Sequence, residues 1–121
     1  MANLTVVVEG LKIEGTLYIS LFNDADGYPM DPEKAFRTDM KKVSSKRETF
    51  IFKNIPFDTY AVSVWHDQND NEKIDTNIFG VPTEGLGASN NAKGRMGPPR
   101  FRNAAFKVDK KTQTISITIN Y

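Results

Sequence analysis

The chain has 121 residues, 39% of them hydrophobic and 26% charged, with 16 basic against 15 acidic side chains and no cysteine. That length and balance suit one globular domain that buries its core without a staple, and we read residues 1–121 as a single domain. The net charge of +1 gives no electrostatic case for nucleic acid. The lack of cysteine excludes disulfides and thiol catalysis, and no apolar run is long enough for a transmembrane segment.

Taken in chain order, the dominant period is two. Leu4, Val6 and Val8 alternate with Thr5, Val7 and Glu9, and Leu17, Ile19 and Leu21 alternate with Tyr18, Ser20 and Phe22. Gly10 to Gly15 joins these two strands. Asp31 as N-cap, Pro32 at the first helical position and Glu33 in the first turn then predict one or two helical turns. Phe50 and Phe52 form the next strand. Asn54 to Asp58 turns the chain into Tyr60, Val62 and Val64, which alternate with Ala61, Ser63 and Trp65. A short run at Phe106 and Val108 reaches the last strand, Ile115, Ile117 and Ile119, through Asp109-Lys110-Lys111-Thr112, which reads as a tight hairpin. Short strands punctuated by turns predict an all-β fold: a single antiparallel β-sandwich of prealbumin or immunoglobulin-like type with about seven strands. The pairs Lys41-Lys42, Lys46-Arg47 and Lys110-Lys111 read as solvated turns or strand ends.

The segment from Phe79 to Arg100 carries five of the eight glycines and three of the six prolines. It shows no strand or helix period. A stretch of that length inside a small domain is functional or disordered as a rule. Phe79, Val81, Leu86, Met96 and Phe101 argue for one long ordered loop packed on the sandwich.

The most pointed feature is His66-Asp67-Gln68-Asn69-Asp70-Asn71-Glu72-Lys73-Ile74-Asp75. Side-chain oxygens at Asp67, Asn69, Asn71 and Asp75, with the Lys73 carbonyl between them, have the alternate spacing that wraps a calcium ion. Glu72 stands where an EF-hand loop has glycine, and Ile78 where it has its bidentate glutamate. Glu84 or a carbonyl of the long loop would have to complete the shell, and affinity would be modest. The competing reading is an Asn/Asp-rich turn bonded to its own backbone, the commoner use of such residues.

His66, the only histidine, shares the inward side of its strand with Tyr60, Val62 and Val64 and reads as a buried imidazole bracing the loop. Trp65 points to the opposite face, either as an anchor under the long loop or as a stacking platform for a ligand. Asn90 and Asn91, with Gly94, Gly97 and the nearby arginines, offer a weak anion-binding pattern without the strand–helix frame a phosphate loop needs. Trp65, His66, Glu84, Asn90 and Asn91 are therefore the candidate ligand-binding residues beside the metal set, and no catalytic residue is assigned.

Ile55 to Val62, His66 to Asn77, Gly80 to Gly85, Ser89 to Ala92 and Gly97 to Phe101, closing on Tyr121, together resemble the bacterial DUF2141 proteins over nearly the whole chain. That family is similar to transthyretin-like and carboxypeptidase-regulatory-like β-sandwiches. Its members usually carry a signal peptide, so the resemblance implies a periplasmic or secreted protein whose leader has been removed. Asp58, Asp70 and Glu72 stand where the family often has glycine. A lone histidine and the ending Thr118-Ile119-Asn120-Tyr121 argue against the hydroxyisourate hydrolase branch of transthyretin-like folds. The resulting expectation is an extracytoplasmic binding or structural module, more an interaction protein than an enzyme. Its ligand would be a small molecule, a glycan or a protein, met by the Asp67–Asp75 loop and the Phe79–Phe101 segment. Two alternatives stay open: a hydrolase using His66 with Asp67, Asp75 or Glu84, and a carbohydrate or peptide binder using Trp65.

Overall fold

The structure, a computed structural model, describes residues 1–29, 31–70, 85–92 and 100–121. Eight strands occur among them: β1 (Ala2–Glu9), β2 (Thr16–Phe22), β3 (Arg37–Lys42), β4 (Glu48–Ile55), β5 (Asp58–Asp67), β6 (Gly85–Ala88), β7 (Phe106–Val108) and β8 (Thr112–Thr118). A first sheet has the order β4-β1-β8, and a second the order β3-β2-β5-β6, with β7 paired to the start of β5 beside β6. The architecture is a two-sheet β-sandwich.

The period-two residues make the core. Leu4, Val6 and Val8 of β1, Phe50 and Phe52 of β4 and Ile117 of β8 face Leu17, Ile19 and Leu21 of β2 and Tyr60, Val62 and Val64 of β5, all buried in one cluster. Each such side chain withdrawn from water contributes roughly 1.5–3 kcal/mol, which offsets the cost of ordering the chain. Where the chain crosses from β4 to β5, the Tyr60 hydroxyl donates to the Pro56 carbonyl at 2.7 Å. This pins the corner as the tyrosine corner of immunoglobulin-like sandwiches does. The helix-start signal produces a single 3-10 turn, Pro32–Lys34, in which the Asp31 carboxylate accepts the Glu33 N–H at 3.2 Å.

Three details differ from the sequence expectation. β8 runs parallel to β1, from Asn3 opposite Thr112 to Glu9 opposite Thr118, while the other pairs are antiparallel. Alternation reports only that one face is wet, and a parallel pair at a sheet edge satisfies that equally. Asp109 to Thr112 is not a hairpin, because β7 pairs with β5 and β8 with β1; the turn carries the chain between sheets. The Gln113 side chain braces it, donating to the Lys107 carbonyl at 2.8 Å. Finally, the stretch read as patternless contains β6 and a 3-10 turn, Ser89–Asn91.

Candidate functional site

β5 ends in two wholly buried polar residues, His66 and Asp67, each 0% exposed. His66 continues the inward side of Tyr60, Val62 and Val64. Its Nε2 lies 2.6 Å from the Glu14 carbonyl, and its Nδ1 lies 2.6 Å from the Tyr121 hydroxyl. A carbonyl only accepts, so Nε2 carries the proton and Nδ1 accepts from the Tyr121 O–H. The tyrosine oxygen in turn accepts the Lys12 N–H at 2.9 Å. The imidazole therefore ties the β1–β2 connection to the end of the chain, and neither ring nitrogen is left for a substrate.

Two glycines make room for this arrangement. At Gly15, φ is +62° and a Cβ would collide with the Asp67 carbonyl, so the β1–β2 connection can press against the end of β5 only with glycine there. At Gly85, a Cβ would stand 2.5 Å from Tyr121 Cε1 and 2.7 Å from Ile119 Cγ2. The chain end crosses that strand at contact distance.

Beyond Asp67 the backbone turns at once. The Asp70 N–H reaches back to the Asp67 carbonyl at 3.5 Å, and Asp70 has φ +55°. The Asp70 carboxylate accepts the Thr16 hydroxyl at 2.7 Å and the Lys42 ammonium at 2.8 Å. The hydrogen bond from Lys42 first, then that from Thr16, holds its carboxyl below the usual range. Of the proposed metal ligands, Asp67 is buried and Asn69 exposed, while Asn71, Lys73 and Asp75, like Glu84, lie outside the described residues. Among the described residues no three His, Asp or Glu side chains converge as a metal would require.

Trp65 lies on the outer face of the second sheet, half-buried, and stacks on its cross-strand partner Tyr18 with ring centroids 4.9 Å apart and planes 17° apart. The pairing register extends this into an apolar row, Met40–Tyr18–Trp65–Leu86, and sets beside it a row of small side chains, Thr38–Ser20–Ser63–Ala88, the first three bearing hydroxyls. Met40, Tyr18 and Trp65 of the first row and Thr38, Ser20 and Ser63 of the second, with Pro29 and Pro32 from the β2–β3 connection, line an open cleft of about 580 Å³. No arginine or lysine lines it among the described residues, and Asp39 is its one acid, with its carboxylate turned to accept the Met40 N–H at 2.8 Å.

The other end of the same face is closed. A short helix, α1 (Phe101–Ala104), packs with Tyr28, Ala88 and Ala92 over Ala61 in a second small cluster. Ser89, wholly buried, fastens this lid: its hydroxyl accepts the Val62 N–H at 2.9 Å and donates to the Ala104 carbonyl. The Asn90 amide donates to the Ala105 carbonyl at 2.9 Å, and the Asn91 side-chain oxygen accepts the Thr118 N–H at 2.9 Å. Both asparagines sit at positive φ. They brace backbone rather than converge on a common point. The sequence reading did not anticipate the clamp at Ser89, the role of Tyr121, or the row completed by Met40. Paired asparagines, which tolerate left-handed backbone, were the available signal for the first.

Fold and surface together define a β-sandwich with one covered and one cleft-bearing half to its outer face. The chain belongs to a bacterial family: the family model described as "Uncharacterized protein conserved in bacteria (DUF2141)" matches residues 6–116. No curated protein and no solved structure matches it. Among the described residues no helix is long and apolar enough to cross a membrane.

Proposed function

We propose that this chain is an exported, non-enzymatic β-sandwich module that binds a ligand in the cleft over Tyr18 and Trp65. In this reading the Asp67–Asp75 loop holds a calcium ion that stiffens the adjoining end of β5. The observation that carries the proposal is the cleft itself: a concave, mainly apolar surface with a few hydroxyls, the usual make-up of a small-ligand site. Two features support the calcium loop. Asp67, its first ligand, is buried at the root of the loop. Asp70, which the ligand spacing passes over, is already engaged by Lys42 and Thr16. Export rests on the family resemblance.

The test is amide and indole NMR of the protein against a mixed library of sugars, amino acids, nucleosides and fatty acids. Binding is expected to move the Trp65 indole and the Ser20 and Ser63 amides together. A library that leaves all three unmoved overturns the reading.

A further inference from the structure

We infer that the ligand of this cleft is a neutral oligosaccharide, lying along the strand-crossing row Met40–Tyr18–Trp65 and hydrogen-bonded by Thr38, Ser20 and Ser63. The inference rests on the cleft being a binding site and adds the class of molecule.

Three observations converge. Tyr18 and Trp65 stack on each other, centroids 4.9 Å and planes 17° apart, so the pair meets the cleft as one apolar rib of ring edges and part-covered faces. Such a rib gives the C–H side of a pyranose ring an apolar surface to pack on, beside polar groups for its hydroxyls. The second row sits two residues further along each strand, roughly 7 Å away, and consists of hydroxyls on three successive strands. A hydroxyl both donates and accepts, and so matches a ligand rimmed with hydroxyls whatever their orientation. Strand spacing puts Met40 and Trp65 about 10 Å apart, longer than a single sugar ring, so the row calls for linked units. Charge decides against the alternatives. With no basic side chain lining the cleft among the described residues, an anionic ligand would lose its hydration without a partner. A wholly apolar ligand would leave the hydroxyl row unpaired.

Trp65 is the only tryptophan, so its emission reports on the cleft alone. The experiment titrates the protein with cellotetraose, maltotetraose and N-acetylated chitotetraose, at low and high salt, and separately with the uncharged apolar dye Nile red. Saturable change of the Trp65 emission with at least one saccharide, insensitive to salt, is expected. The Ser20→Ala, Ser63→Ala double variant is expected to weaken it roughly tenfold or more, from the loss of two hydrogen bonds. Tyr18→Leu, which keeps an apolar side chain and removes the ring, is expected to weaken it as well. Both variants must retain the wild-type melting temperature to within a few degrees; Ser63→Thr, which keeps the hydroxyl, serves in place of a variant that does not fold, and is expected to bind. A response to the dye with none to any saccharide overturns the saccharide class and leaves the cleft a binding site. A response to neither overturns both readings. A saccharide response that collapses in salt, or that survives the double serine variant, overturns the proposed contacts.

Discussion

The Tyr121 hydroxyl donates to His66 Nδ1 across 2.6 Å, joining the end of the chain to the end of β5. His66 is wholly buried while Tyr121 is 47% exposed, so deleting the tyrosine hydroxyl leaves the imidazole short of a partner. Tyr121→Phe is expected to cost about 1–2 kcal/mol, because it leaves Nδ1 of the buried His66 without its donor. His66→Ala is expected to cost more, about 2–4 kcal/mol, since it adds a cavity in a fully buried position. Chemical denaturation of both variants checks the order. Long-range proton–nitrogen NMR of the ring should find the proton on Nε2; a ring protonated on Nδ1 alone would contradict the network.

Tyr28 presents the opposite situation. Its ring meets Phe22 and Phe101 edge-on, but its buried hydroxyl has no hydrogen-bond partner among the described residues. Tyr28→Phe is expected to stabilise the fold by about 1 kcal/mol, the desolvation cost of an unpaired hydroxyl. Burial also pushes the phenol up to about 12. The native state thus holds that proton more tightly than the unfolded chain, whose tyrosine titrates near about 10. The folded protein keeps this contribution below the unfolded value and loses it as pH rises toward the folded one. Wild type should therefore lose more stability in alkali than Tyr28→Phe, measured by melting curves across that range.

The sequence made the inward faces of β1, β2, β4, β5 and β8 legible because burial of one face writes a period of two. It hid β3 for the same reason: all six residues from Arg37 to Lys42 are exposed, so an edge strand left no apolar rhythm. β6 was hidden by its glycines, which are there because Ile119 and Tyr121 cross against the strand. Among the site residues, the inward direction of His66 followed from its position on β5, but its partners Glu14 and Tyr121 lie 52 and 55 residues away. No local pattern encodes such a pairing. Trp65 was readable as outward-facing, whereas its partner Tyr18 required the β2–β5 register.

Asp70 provides an acid-sensitive contact. Its hydrogen bonds from Lys42 and Thr16 hold its carboxyl below the ordinary value of about 3.9. A depressed folded value means that the contribution is present above the unfolded value and is lost as pH falls through the folded one. Asp70→Asn is expected to lower the melting temperature at neutral pH, and the gap to wild type should close in acid. The ion pair is exposed, so high salt should narrow the gap as well.

The open side of the sandwich is stitched by β3. Arg37 donates to the Lys53 carbonyl at 2.6 Å and to the Asn54 carbonyl at 3.4 Å, and the Lys41 ammonium bonds the Thr49 carbonyl. These carbonyls belong to β4, an edge of the other sheet, and unpaired edge groups are templates for a second chain. Arg37→Ala with Lys41→Ala is expected to produce concentration-dependent association, read by light scattering after size exclusion. The double change takes the net charge from +1 to −1, so its magnitude, and with it colloidal repulsion, stays constant. A variant that stays as dispersed as wild type at every concentration would show that the stitching has no protective role.

The proposed calcium loop makes the last prediction, and mass action sets its size. An ion that binds only the native state stabilises it by RT ln(1 + [L]/Kd), about 2.7 kcal/mol when calcium is present at a hundred times Kd. Chelator-treated protein should therefore melt several degrees higher in millimolar calcium, and far less so in magnesium, which sheds its water reluctantly and demands a stricter octahedron. Asp75→Asn removes one of the two carboxylates in the spacing without touching the buried root at Asp67. It is expected to abolish most of the calcium shift while leaving the metal-free melting temperature unchanged. Equal melting of wild type with and without calcium would return the Asp67–Asp75 run to a turn bonded to its own backbone.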